Sequence, residues 1–258
     1  MAIHTTPTEK RPGPAFLRSG PLRAFAYPQF LLLWGASIGS VSAFFMMNVA
    51  RGWLVLEETD SAFMVTAVQA IGMVPLLLLS LVGGAAADRF NRRRILFATE
   101  GFALLVLLAL ALLVITDVVH VWHVFVLSFL HGTTFAMGMP TRTSSVPHLV
   151  GHRDIASGVA MFTTIFSAGQ LVGPAIGGVL IESIGIGPTF LVSSAIMVPV
   201  LLLLIPLRIP DVLRADTVER ISFIASIKEG FAYVRRDRVI MGLMTLGLVL
   251  TVFAMPYQ

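Results

Sequence analysis

Apolar residues form long runs along this chain, separated by short stretches that hold most of its charge. Runs of this length suit helices that cross the hydrocarbon core of a bilayer, which takes about 20 residues. The fold class that this pattern predicts is an all-α, polytopic membrane helical bundle. Six complete spans and the start of a seventh are predicted, at about residues 30–55, 63–87, 95–115, 121–139, 156–181, 189–207 and from 239 onward.

The polar stretches divide the chain into four predicted regions. Residues 1–28 are rich in Pro, Thr and Arg and are interpreted as a cytosolic tail, with a short surface helix near residues 22–27. Residues 29–207 form a six-span N-terminal transmembrane bundle. Residues 208–238 are charged and carry apolar residues at helical spacing, which predicts a cytosolic linker with an amphipathic helix on the membrane. Residues 239–258 begin a seventh span, after which the second half is truncated.

The distribution of charge predicts the orientation of these spans. Of the 18 Lys and Arg residues, all but Arg51 fall in the N-terminal tail or in alternate predicted loops. Because cytoplasmic loops carry an excess of Lys and Arg, a cytoplasmic N-terminus is predicted. The predicted inner segments are 1–28, 88–94, 140–155 and 208–238, and the predicted outer loops are 56–62, 116–120 and 182–188, with Glu57, Glu58 and Asp60 making the first of these loops acidic.

Composition narrows the function classes. The chain is 56% hydrophobic and 12% charged, against about 25% charged residues in a soluble domain. The sequence pI of 10.1 is high enough to suggest a nucleic-acid partner. Because the Lys and Arg residues lie where they would orient the spans in the membrane, no nucleic-acid partner is predicted. Cysteine is absent, which excludes disulfides and thiolate chemistry. Nucleotide-binding and zinc-protease motifs are absent too, so no enzyme activity, catalytic residue, cofactor or metal site is predicted.

The hairpin between the second and third predicted spans carries a distinctive motif. Its residues are Gly84-x-x-x-Asp88-Arg89-x-Asn91-Arg92-Arg93. This resembles the loop between helices 2 and 3 of the major facilitator superfamily, with Asn91 where that family usually has glycine. Asn tolerates the left-handed conformation, so the turn is expected to form with Asn91 in place of glycine.

Asp88 in this motif lies at the C-terminal end of the second predicted span, where the helix dipole is negative and disfavours a carboxylate. The resemblance implies that a helix N-terminus of a second half lies opposite it and that the loop is a conformational switch.

A second motif lies in the predicted fifth span. Gly169, Gly173 and Gly177 are four residues apart and share one helix face, which allows a neighbouring helix to approach closely. Pro174 adds a predicted kink. With Gly178, this stretch resembles the fifth-helix motif of major facilitator antiporters, G-x8-G-x3-G-P-x2-G-G, which in that family accompanies export. Ala160 occupies the position of its first glycine, and ordinary tight packing remains the alternative interpretation.

Ionisable and polar side chains within spans are costly and mark candidate functional sites. Glu100, His131, Asn48 and Arg51 are therefore the candidate proton or substrate site. Glu100 either has such a role or pairs with an arginine of the 89–94 loop. His131 either carries a proton or hydrogen-bonds a neighbouring helix as a neutral group. The superfamily also has a helix 4 motif with an arginine a turn before a glycine, but Ser128 stands where that arginine would be.

The resemblance implies a secondary active transporter that works by alternating access around a site near the membrane midplane. It is strongest to the bacterial branch that contains enterobactin exporters and macrolide or multidrug efflux proteins. A proton-coupled exporter of an amphipathic small molecule, such as a drug or siderophore, is therefore expected in a bacterial inner membrane. Superfamily members have six plus six helices, so a C-terminal half is the expected missing partner. An uptake symporter and a non-transporting scaffold or inactive half-protein are the alternatives.

Overall fold

The computed structural model describes residues 22–210 and residue 242, with the side chains of residues 77 and 80–89 outside the description. The helices of the described part are α1 (Pro28–Thr59), α2 (Ala62–Arg89), α3 (Arg92–Ile115), α4 (Val121–Leu149), α5 (Ile155–Ile184) and α6 (Ile186–Leu204), with 3₁₀ turns at Arg23–Ala26 and His152–Asp154. The chain separates into two compact units, residues 1–212 and 213–258. The predicted linker and seventh span lie outside the described residues, apart from 208–210 and Gly242.

Within residues 22–210, five helical stretches are long and apolar enough to cross a membrane. They are Pro28–Thr59, Arg92–Ile115, Val121–Leu149, His152–Ile184 and Ile186–Leu204. Helix α2 is 28 residues long, and its apolar stretch with described side chains is Ala62–Leu76. The all-α membrane bundle is therefore confirmed, and each helix overlaps the apolar run that predicts it.

The turns between helices are shorter than predicted. Glu57 and Glu58 belong to α1, which ends at Thr59, so the expected acidic outer loop reduces largely to Asp60 in the left-handed conformation at φ 47°. The expected turn at residues 182–188 reduces to one residue, Gly185 at φ 88°. Glycine adopts this positive φ without a steric penalty, so α6 begins directly after it.

The prediction of an inner loop at residues 140–155 is wrong for its first ten residues. Proline within a helix usually kinks or ends it, which is why Pro140 favoured a loop. Helix α4 nevertheless continues through Pro140 and Pro147 to Leu149. Its last turns are buried, and Ser145 Oγ donates to the carbonyl of Thr141 at 2.6 Å. Burial of this face offsets the cost of the prolines.

Helix packing contains an internal symmetry that the sequence does not make visible. Helix α2 packs mainly on α4 and α5 mainly on α1, while α3 packs on α6. Helix α3 also packs on α4, and α6 on α1. Exchanging α1 with α4, α2 with α5 and α3 with α6 reproduces this set of contacts. That is the arrangement expected of two three-helix repeats.

The predicted short helix near residues 22–27 is present as the 3₁₀ turn Arg23–Ala26. It packs against the bundle, since Ala24 is fully buried and its backbone N–H donates to Ser157 Oγ at 3.1 Å. Tyr27 OH donates to Asp154 Oδ2 at 3.0 Å. The chain therefore enters α1 along the start of α5.

Candidate functional site

The predicted switch loop is shorter than its motif. Helix α2 ends at Arg89 and α3 begins at Arg92, which leaves Phe90 and Asn91 to make the turn. The expectation of a left-handed Asn91 is wrong, because its φ is −63° and its ψ is 114°. Its side chain instead accepts a hydrogen bond from the Arg94 N–H at 3.1 Å, as an N-cap of α3. An N-cap needs extended backbone, so asparagine serves here without a positive φ.

The side chains of the motif are described only in part. Gly84, Asp88 and Arg89 lie in the last turns of α2, and their surroundings lie outside the described residues. Arg93 donates Nε–H to the carbonyl of Leu204 at 3.1 Å, and its Nη2 donates to the carbonyl of Ile205. The structure therefore brings this arginine to the C-terminal end of α6, a contact that sequence reasoning missed.

The close helix approach predicted at the glycines of α5 is present, and the neighbour is α1. A Cβ atom on Gly173 would lie 2.6 Å from the Cβ of Phe45 and 3.3 Å from the carbonyl oxygen of Ser42. A Cβ atom on Gly177 would lie 3.3 Å from the Cα of Met46. Gly169 meets the same helix, where a Cβ atom would clash with Val41 Cγ1. Glycine along this face therefore allows α5 to lie this close to α1.

The other residues of that motif lie elsewhere on the helix. Gly178 has open space where a Cβ atom would stand, and Pro174 is half-buried within a continuous α5. Ala160 is exposed, away from the buried glycine face. A glycine at 160 would therefore not contribute to the approach between α5 and α1.

Glu100 lies in a buried polar cluster that joins three helices. The Arg142 guanidinium of α4 donates to one carboxylate oxygen, and Ser40 Oγ of α1 donates to the other at 2.7 Å. All three side chains are buried. Of the two alternatives for Glu100, pairing with an arginine is present, but the arginine described here belongs to α4 and not to the 89–94 loop. Because α4 continues beyond Pro140, Arg142 is carried into the interior and becomes the partner.

The remaining candidates form a second polar cluster, between α1, α2 and α4. Arg51 is 2% exposed and donates to Asn48 Oδ1, while Gln69 Nε2 donates to the Asn48 carbonyl at 2.9 Å. The Nη1 atom of Arg51 lies against Gly72, 3.3 Å from where a Cβ would stand. His131 is buried, and its Nδ1 has no hydrogen-bond partner within the described part. The four candidate residues thus belong to two separate clusters.

An aromatic row, defined here as Phe44, Phe45, Phe135 and Phe166, connects the middle of α1, α4 and α5. The rings of Phe44 and Phe135 stack with centroids 4.2 Å apart, and Phe45 meets Phe166 at 5.4 Å. Phe44 also stacks on the His131 ring at 5.5 Å. Phe45, Phe135 and Phe166 remain half-buried. Sequence reasoning missed this row, and its only signal was a phenylalanine near the centre of each span.

Among the described residues, no group of three or more His, Cys, Asp or Glu side chains is arranged to hold a metal ion. The carboxylate, guanidinium and amide groups of the two polar clusters are suited to hydrogen bonding between helices, and the carboxylate of Glu100 to proton exchange. Both clusters lie inside the bundle, whereas the aromatic row reaches its surface.

Comparison with known proteins adds an independent result. The sequence matches the family model described as transmembrane secretion effector over residues 19–257. It is 32% identical over 218 residues to the multidrug efflux pump Tap of Mycolicibacterium fortuitum, covering 81% of this chain and 53% of the pump. It is 28% identical over 185 residues to the staphyloferrin A transporter of Staphylococcus aureus, covering 71% and 45%. It is 21% identical over 235 residues to macrolide efflux protein A of Streptococcus pyogenes, covering 88% and 56%. The chain spans about half the length of the curated relatives it matches.

Proposed function

The chain belongs to the transmembrane secretion effector family of major facilitator transporters, and on that basis we propose that it is the N-terminal half of a proton-coupled exporter. It is a multi-pass bacterial membrane protein whose relatives are transporters and not enzymes. The proposed cargo is an amphipathic small molecule, such as a drug or siderophore, exchanged for protons by alternating access. A second half of six helices completes the proposed transporter, and the N-terminus is proposed to be cytoplasmic.

The observation that carries export is the glycine face of α5. Gly169, Gly173 and Gly177 lie directly against the backbone and Cβ atoms of α1. In the resembling antiporters this motif accompanies export, and named relatives of this chain are efflux proteins. A face without side chains lets two helices approach closely, and α1 and α5 belong to different three-helix repeats, which alternating access can move against each other.

Glu100 is the proposed proton-exchanging group. An exchanging carboxylate needs a cation that holds it ionised in one state and withdraws in the other. Arg142 is placed to do this from α4, while Ser40 holds the second oxygen from α1. Protonation of Glu100 would leave Arg142 as a buried cation without its anion, a costly state that favours rearrangement of α3 and α4. The Nδ1 atom of His131 has no hydrogen-bond partner among the described residues and its ring stacks on Phe44, so we assign His131 to packing.

The aromatic row is the proposed substrate contact of this half. Residues 44 and 45 lie at the centre of α1, and residue 135 lies at the centre of α4. Transporter sites lie near this depth, and half-buried rings leave a face for stacking with an apolar or aromatic cargo.

Asp88, at the end of α2, is proposed to hold the cytoplasmic side closed by interacting with a helix N-terminus of the second half.

A matched pair of phenylalanines on α4 tests the substrate contact. Phe135 belongs to the aromatic row, whereas Phe129 is exposed on the same helix outside it. In the complete transporter, Phe135→Ala should raise the KM for macrolide export by about two- to tenfold, since one ring pair contributes about 0.5–1.5 kcal/mol. Phe129→Ala should leave it unchanged. Equal KM values in the two variants would remove the aromatic row from the substrate path.

A further inference from the structure

The chain that leaves α6 is fastened to α3. We name residues 205–210, which follow the last residue of α6, the exit segment. Arg93, in the first turn of α3, donates Nε–H to the carbonyl of Leu204 at 3.1 Å and a second N–H to the carbonyl of Ile205. One guanidinium therefore spans the end of α6 and the first residue of the exit segment.

The exit segment is also fastened to α1. The backbone N–H of Arg208 donates to the side-chain oxygen of Gln29 at 2.7 Å. Between these attachments Leu207 is fully buried in the core of the bundle. The segment is thus seated between the first turns of α1 and α3.

The chemistry of this contact favours arginine. The last carbonyls of a helix have no partner within the helix and carry the negative end of its dipole. A guanidinium offers several N–H donors in a fixed plane, so it can satisfy two adjacent carbonyls while its charge complements the dipole. Asn91 caps α3 through the Arg94 N–H, which fixes the turn that presents Arg93. The next arginine, Arg94, is exposed.

We propose that Arg93 is a positioning residue that couples the α2–α3 loop to the chain leading toward the second half. The inference rests on the proposed transporter function. Arg93 belongs to the motif of the predicted switch loop, and the exit segment runs into the predicted linker at residues 208–238. A displacement of the loop would be passed through one guanidinium to the exit segment. Arg93 does this without contact to the cargo.

Labelling of a single cysteine tests the attachment directly. The chain has no cysteine, so Leu207→Cys gives one reactive site that is buried while the exit segment is seated. In native membranes, Arg93→Gln should raise the rate at which the cysteine of Leu207→Cys reacts with a hydrophilic maleimide. The expected increase is between about twofold and about thirtyfold, which corresponds to the free energy that a charge contributes at a helix end. Arg93→Lys should give an intermediate rate, because lysine keeps the positive charge but lacks the planar set of N–H donors that reaches two carbonyls. Arg94→Gln is the matched control and should leave the rate unchanged.

Equal labelling rates in Arg93→Gln and Arg94→Gln would overturn the attachment. If Leu207→Cys does not insert, Ile209→Cys offers the same comparison, since Ile209 is partly buried against the same core. In the complete transporter, Arg93→Gln should lower kcat with KM unchanged, and Arg93→Lys should restore part of it. If Arg93→Gln labels faster than Arg94→Gln but the complete protein exports nothing, the attachment of the exit segment by Arg93 stands and the proposed transport function is wrong. An unchanged kcat despite faster labelling would remove the coupling.

Discussion

Arg142 of α4 donates to the carboxylate of Glu100 of α3 in the interior of the bundle, with both side chains buried. The two residues are 42 positions apart, and Pro140 lies two residues before the arginine. Their contact depends on α4 remaining helical beyond that proline. It joins α3 to α4, and Ser40 extends the connection to α1. Protonation of Glu100 would therefore change contacts between three helices, α1, α3 and α4.

The first prediction separates the structural from the coupling role of this pair. Removing one partner of a buried ion pair costs about 3–5 kcal/mol, because the other charge is left unpaired. Glu100→Gln alone should therefore lower the unfolding temperature of the purified protein in detergent. The double variant Glu100→Gln/Arg142→Gln removes both charges and should recover most of the decrease in unfolding temperature. In the complete transporter, the same double variant should show no export driven by a pH gradient. A double variant that still responds to a pH gradient would place the proton site elsewhere.

The second prediction compares two glycines of α5. Gly173→Ala would place a methyl group 2.6 Å from Phe45 Cβ and near the Ser42 carbonyl, so it should destabilise the bundle by about 1–3 kcal/mol. Gly178→Ala has open space and should be neutral or stabilising by up to about 1 kcal/mol. Thermal unfolding measures both variants. The larger Gly173→Leu should also reduce export while the protein still inserts. Similar unfolding temperatures for the two alanine variants would argue against a tight α1–α5 contact.

Orientation is the subject of the third prediction. Glu58 is exposed near the end of α1 and Arg94 is exposed near the start of α3, at opposite ends of α2. Single cysteines at these positions should react with a membrane-impermeant maleimide from opposite sides of sealed vesicles. Glu58→Cys should be the periplasmic site and Arg94→Cys the cytoplasmic one. Reaction of both from one side, or the reverse assignment, would contradict the proposed orientation.

The fourth prediction concerns Asp88, in the last turn of α2. Its own helix dipole disfavours a carboxylate there, so a helix N-terminus in the second half is the proposed partner, contributing about 0.3–2 kcal/mol. Asp88→Asn should shift the complete transporter toward the inward-open state by up to about thirtyfold and slow turnover. Spectroscopic distances across the cytoplasmic mouth report the populations. Unchanged distances and turnover would reduce Asp88 to an ordinary loop charge.

Some of this arrangement was predictable because it depends on local spacing. Run length predicted the spans, and the four-residue spacing of Gly169, Gly173 and Gly177 predicted a face of close approach, which is present against α1. The partner of Glu100 was not predictable, since Pro140 favoured a loop at the position from which Arg142 reaches inward.

Other features depend on how whole helices rotate about their axes, which spacing within one helix does not determine. The aromatic row needs phenylalanines of α1, α4 and α5 to face one another, and the contact of Arg93 needs the end of α6 beside the start of α3. The conformation of Asn91 was not predictable for a different reason. Asparagine suits both a left-handed turn and an N-cap, and the hydrogen bond to Arg94 selects the cap.

Proton-coupled export is tested most directly by measuring transport into inside-out membrane vesicles that contain the complete transporter. With the vesicle interior acidified, a labelled macrolide should accumulate inside, and collapse of the pH gradient with nigericin should release it. Vesicles carrying the Glu100→Gln/Arg142→Gln variant should show neither response. Macrolide accumulation driven only by the opposite gradient, or accumulation insensitive to nigericin, would contradict proton-coupled export.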